Sequence, residues 1–155
     1  MRRLFALLSA VLLTVVGCNT NKTIDISQID VNAVYESIEG KTTEQLVVLD
    51  DNYILNKYGV DGSALDGYVF AQSNDPQSAE AIIMFKCLDE SKRQEIIDSI
   101  KLNNEQKVEE LNNYNLPDEA KLVEDSTLED KSGFVYLITS KNKAEIQEII
   151  QDSIS

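Results

Sequence analysis

Two thiols, a scatter of carboxylates and no histidine set the chemistry open to this 155-residue chain. Without histidine, Ser-His-Asp and Cys-His catalysis are excluded, and so is the commonest zinc ligand. Cys87 is a nucleophile only if something activates it, and it shares a strand face with Ile83 and Phe85. A buried, inert thiol is its expected state. Asp50, Asp51, Asp61 and Asp66 flank turns, where paired carboxylates could serve acid–base chemistry or Ca²⁺. None of them matches the Asp-x-Asp-x-Asn-Gly calcium loop, and helix caps and turns use the same residue type. Glu80 and Lys86 stand on one strand face with Ile82 and Met84 between them. Together with the Tyr58-Gly59-Val60-Asp61 turn they form a candidate binding surface: Glu80, Lys86, Tyr58 and Asp61. The simpler account of Glu80 and Lys86 is an amphipathic strand whose end charges reach water. No metal site and no cofactor are implied.

Cys18 has a different chemistry. Arg2 and Arg3 precede a 13-residue run, Leu4 to Val16, that is apolar except for Ser9 and Thr14. About 20 apolar residues are needed to span a bilayer, so this run has the length of an export signal instead. Val15-Val16-Gly17-Cys18 closes it, and this ending resembles the lipobox of bacterial lipoproteins. The resemblance implies diacylglyceryl transfer to the Cys18 thiol and cleavage between Gly17 and Cys18. Residues 1–17 would be removed, 18–29 would be a lipidated cysteine and a short tether, and 30–155 a single globular domain. Two acyl chains suffice for stable anchoring where one does not. The expected location is therefore the extracytoplasmic face of the cell membrane. By resemblance to sorting in double-membrane bacteria, Asn19 after the cysteine would permit passage to an outer membrane; in a single-membrane cell it has no such meaning.

Composition narrows the partners. Loss of Arg2 and Arg3 with no acid takes the formal charge from −13 to −15. Such a body is repelled by nucleic acid and by anionic headgroups, so nucleic acid is excluded as a partner and the lipid must hold the protein at the membrane. Residues 19 to 29 reach at most about 36 Å at roughly 3.3 Å per residue. After lipidation Cys87 is the sole thiol, so no intrachain disulfide forms. The absence of tryptophan removes one common platform for sugar stacking, although six tyrosines remain.

The elements that must position these residues follow from capping and periodicity. Asp30 caps a first helix carrying Val31, Val34, Tyr35 and Ile38, with Ile29 stapled to Val34 and Gly40 as its stop. A second short helix starts near Asp50 or Asp51 and ends at Gly59, while Leu46 to Leu49 suits strand or helix equally. Gly67–Ser73 and Ala79–Cys87 read as strands, the second with its Ala79, Ala81, Ile83, Phe85, Cys87 face toward the core. Asp89 caps a long helix to about Asn113 with an apolar stripe of Ile96, Ile97, Ile100, Val108 and Leu111, from which Leu102 falls away. Tyr114 to Pro117 turns the chain into a hairpin, Lys121–Leu128 and Phe134–Ser140. Asn142 and Glu145 have capping-box spacing for a last helix burying Ile146, Ile149, Ile150 and Ile154. The expectation is an α+β fold: a four-stranded, mainly antiparallel sheet with helices packed on one face, in the order α-α-ββα-ββα.

The Tyr58-Gly59-Val60-Asp61 turn, the Ala79–Lys86 strand and the Tyr114…Pro117 and Gly133…Tyr136 pairs carry a second resemblance, over most of residues 30 to 150. The chain resembles an uncharacterised family of small lipoproteins of Gram-positive, mostly clostridial-type bacteria, which carry a domain of unknown function. In that pattern a basic residue often stands four positions before a helical glutamine. Here Gln106 is that glutamine and Leu102 takes the basic place. The expected role is a non-catalytic binding or accessory module of the envelope, anchored to the membrane through Cys18 and engaging an envelope or secreted protein. The alternatives are a carboxylate-dependent envelope hydrolase and a small-ligand binding domain. Cys18→Ser abolishes acyl labelling and membrane retention on this reading; a variant that keeps both refutes the lipobox.

Overall fold

The computed structural model describes residues 24–155. Gly17, Cys18 and the expected signal of residues 1–17 lie outside the described residues. The elements are α1 (Val31–Ser37), β1 (Leu46–Val48), α2 (Asp51–Tyr58), β2 (Gly67–Ser73), β3 (Ala81–Lys86), α3 (Glu90–Asn113), α4 (Pro117–Glu124), β4 (Thr127–Lys131), β5 (Phe134–Thr139) and α5 (Lys143–Ser153). The class is α+β, with five α-helices and one fully antiparallel five-stranded sheet, ordered β1-β2-β3-β5-β4. Asp30, Asp50 and Asp89 cap α1, α2 and α3 with their carboxylates, as the sequence indicates. Gly59 closes α2 at φ 67°, a left-handed conformation that glycine adopts without a Cβ penalty.

Four expectations are corrected. The sheet has five strands, not four, because the ambiguous Leu46–Val48 run pairs with Ala71–Ser73 of β2. Helices cover both faces, not one. Val69, Ala71, Ile82, Met84, Tyr136 and Ile138 pack under α1 and α5, while Phe70, Ile83, Phe85, Val135 and Leu137 pack under α2 and α3. The alternation along β3 therefore separates two cores, not core from solvent. Residues 121–124, expected at the start of the Lys121–Leu128 strand, instead belong to α4, which begins at Pro117. Pro117 suits the first helical turn, where it forfeits no hydrogen bond, and Ala120 and Val123 meet Leu111 of α3 in a third cluster. Asn142 does not close a capping box. Its side chain donates to the Lys41 carbonyl at 2.8 Å, and Glu145 pairs with Lys41 at 2.7 Å, so both residues tie α5 to the loop before β1.

One end of the sheet is where the chain enters the domain. The Gly133 turn between β4 and β5 is so close to the amino-terminal segment that a Cβ there would lie 2.9 Å from Ile26 Cδ1. Ile29 belongs to the core, Ile24 and Ile26 pack against it, and the Ile29 carbonyl accepts from Lys86 Nζ at 2.6 Å. Ile24 and Asp25 also share a surface hollow with Ser153–Ser155 at the end of α5. The described part of the expected tether thus lies against the body of the domain.

α3 is the other organising element. At 24 residues it runs about 36 Å, well beyond the six-residue β3 beneath it. Ile96, Ile97 and Ile100 fill the second core, whereas Leu111 reaches α4 at the far end. Ile97→Asp puts an unpaired charge against Phe85 and Val135 and is expected to cost more than about 3 kcal/mol. An unchanged urea midpoint would show that this face of α3 is not the packed one.

Candidate functional site: the far end of the sheet

At the end of the strands opposite the chain's entrance, α2, α3 and the β2–β3 turn enclose a polar cleft of about 360 Å³. α2 presents Tyr53, Lys57 and Tyr58 to it; β2 presents Gln72; α3 presents Asn103, Asn104, Lys107 and Glu110 on successive turns. Helical spacing puts positions 103, 107 and 110 on one face. Lys57 Nζ donates to Gln72 Oε1 at 3.1 Å, and Gln72 Nε2 in turn donates to the Tyr53 hydroxyl at 3.2 Å. The same ammonium stands 5.5 Å and 5.6 Å from the centroids of Tyr53 and Tyr58, within cation–π range. Burial pushes the Tyr58 phenol up to about 12, with Tyr53 adding to the rise, so it is protonated at neutral pH. Lys107 is paired with Glu110 at 3.8 Å. The cleft offers ammonium, carboxamide, phenol and carboxylate groups suited to holding a polar ligand.

On the other flank of α3 lies a groove of about 540 Å³, bounded by α4 and the edge strand β4. Its floor is apolar, from Val108, Val123, Leu128 and Leu137. Asn104 and Val123 border both hollows, so the carboxyl-terminal half of α3 separates a polar site from an apolar one. Leu102 and Gln106 are exposed and line neither, so the leucine in the basic place changes neither hollow.

The residues singled out from the sequence are only partly brought together. Tyr58 and Glu80 line the polar cleft; Lys86 and Asp61 do not. Lys86 sits at the other end of β3, and Asp61 is a turn residue accepting from the amide and hydroxyl of Ser63. Asp50 is a helix cap, Asp51 accepts from the Tyr68 hydroxyl, and Asp66 gives its backbone amide to Lys86. None of these four aspartates lines the cleft. Among the described residues, no group of three His, Cys, Asp or Glu side chains converges as a metal site would require. Cys87 is buried, its Sγ 3.4 Å from the Asp89 carbonyl, and burial pushes its thiol up. The cleft residues Lys57, Gln72, Asn103 and Lys107 were missed because their convergence joins three elements far apart in sequence. The one local signal was the Asn103–Lys107 spacing beside the apolar stripe.

Glu80 departs most from expectation: its charge does not reach water, for the residue is only 2% exposed. Its carboxylate accepts from Ser140 Oγ at 2.7 Å, Thr43 Oγ1 at 3.0 Å and the Glu44 amide at 2.7 Å. Burial pushes the carboxyl up, yet the hydrogen bonds from Ser140, Glu44 and Thr43 together outweigh it and hold the group below the usual carboxylate range. Glu80 thereby clasps the loop before β1 to the ends of β3 and β5. Glu80→Ala leaves those donors without their acceptor and is expected to cost about 2–3 kcal/mol. A lowered folded-state pKa contributes stability that is complete above the unfolded value and is lost as pH falls through the folded one. The difference in urea midpoint between wild type and Glu80→Gln should therefore shrink from pH 7 to pH 3. A gap that stays constant across that range contradicts the clasp.

No curated protein and no solved structure matches this chain. A family model does, over residues 39–140, a stretch from the loop before β1 through the end of β5 that holds all five strands, both hollows and the Glu80 clasp. The chain therefore belongs to the family defined by the domain of unknown function DUF4358.

Proposed function

We propose that this protein is a lipid-anchored, extracytoplasmic accessory module of the cell envelope that binds a protein partner and performs no chemistry of its own. Its setting would be that of the small clostridial-type lipoproteins it resembles. The observation that carries the reading is the opposition of two ends. The chain enters the domain beside the Gly133 turn and the end of α5, whereas the cleft and the groove lie at the other end of the strands. From Cys18 to Ile24 the chain reaches at most about 20 Å. A lipid on Cys18 would thus hold the first end near the bilayer and turn the second outward. Among the described residues no helix is long and apolar enough to cross a membrane.

The absence of histidine and the engagement of Asp50 in a helix cap, Asp61 in a turn and Asp51 with the Tyr68 hydroxyl favour binding over hydrolysis. The test is site-directed photo-crosslinking in the native envelope. A photo-crosslinking amino acid replacing Gln106, on the outward face of α3, should trap one envelope or secreted protein. The same group replacing Gln28, at the anchor end, should not. Trapping from position 28 alone, or nothing above a control lipoprotein from either position, refutes the proposal.

A further inference from the structure

We infer that the groove between the carboxyl-terminal half of α3 and the edge strand β4 docks a cationic, amphipathic segment of the partner polypeptide, an inference that rests on the accessory-module reading. The floor is apolar and partly open: Leu128 and Val108 are only half-buried although they pack on the cores beneath. The rim is acidic. Glu105 and Glu109 on α3 and Glu124 on α4 stand around that floor, opposed by Lys101 alone.

These three carboxylates have no side-chain partner among the described residues. The ion pairs among the described residues engage Glu110, Glu119, Glu129, Glu145, Asp125 and Asp130, and none of the rim acids. Nor do the rim acids accept a side-chain hydrogen bond from another described residue, as Glu80 and Glu129 do. An apolar floor inside a rim with an excess of negative charge, three acids to one lysine, selects its occupant on two criteria at once. A neutral apolar peptide would fill the floor but bury carboxylates beside it without partners. A second copy of this chain, docked by the same surface, would set like charges against each other. An anionic lipid surface or nucleic acid is repelled for the same reason. A segment with apolar side chains on one face and lysine or arginine at its margins satisfies both floor and rim.

The test uses the full-length lipidated chain in nanodiscs of zwitterionic phosphatidylcholine, so that cationic probes gain nothing from the lipid. The probe is a fluorescein-labelled amphipathic peptide of leucine and lysine, followed by anisotropy. Its controls are a serine/lysine peptide of equal charge and a leucine/glutamate peptide of equal hydrophobicity. The leucine/lysine peptide should bind at least tenfold more tightly than either control. The triple reversal E105K/E109K/E124K should weaken it at least tenfold, and Leu128→Ser should weaken it with the rim intact. Glu109→Lys alone, a single exposed change, should show the same direction if the triple variant folds poorly. Equal binding of the leucine/lysine and serine/lysine peptides, or no effect of charge reversal in a folded variant, overturns the inference. A native partner still trapped by E105K/E109K/E124K overturns the groove and leaves the accessory role standing. Peptide binding without any trapped envelope protein would refute the accessory role instead.

Discussion

Burial of the central strands on both faces is the constraint from which the rest of the architecture follows. All six residues of β5 are buried, and so are Ile82, Ile83, Met84 and Phe85 of β3. A strand with two apolar faces is stable only between two layers, so α1 and α5 must cover one side and α2 and α3 the other. With both faces closed, recognition is left to the ends and edges of the sheet. That is where the polar cleft and the apolar groove are found.

Two of the polar residues that enter this core bond to each other, Ser140 Oγ donating to the Glu80 carboxylate at 2.7 Å. Among the described residues Glu80, Thr139 and Ser140 are the buried polar ones, and the Glu80 carboxylate accepts from Thr43, the Glu44 amide and Ser140. On the opposite edge Tyr136 is handled the same way, its hydroxyl donating to Glu129 Oε2 at 2.8 Å while Glu129 is braced by Lys131 and Gln147. Among the described residues no buried side-chain nitrogen or oxygen lacks a partner. Satisfied networks of this kind specify one arrangement of loops that share no sequence neighbourhood. Here they fix the loop before β1 and the α5 junction, and through them the floor of the cleft.

α3 converts this scaffold into a presenting device. Its amino-terminal half is committed to the second core and to the Arg93–Asp130 ion pair at 2.8 Å near the anchor end. Its carboxyl-terminal half overhangs the sheet, is braced by α4, and keeps different chemistry on its two flanks. The cleft is lined by polar side chains of both charges, Lys57 and Lys107 with Asp75, Glu80 and Glu110, while the groove sets three acids and one lysine around an apolar floor.

Local signals in the sequence determined the caps at Asp30, Asp50 and Asp89, the glycine stop of α2, the stripe along α3 and the α+β class. Each depends on residues within a few positions of one another, where spacing alone carries the physics. Tertiary structure decided the remainder. Whether Leu46–Leu49 became a strand depended on the free edge of β2. Whether the chain after Pro117 became helix depended on Leu111 offering Ala120 and Val123 a place to pack. The continuous apolar runs Ile82–Phe85 and Phe134–Ile138 carry a local signal of strands buried on two faces, but the burial of Glu80 and the convergence of Lys57, Gln72, Asn103 and Lys107 were invisible in one dimension. These features arise from contacts between residues tens of positions apart, and only the folded chain brings them together.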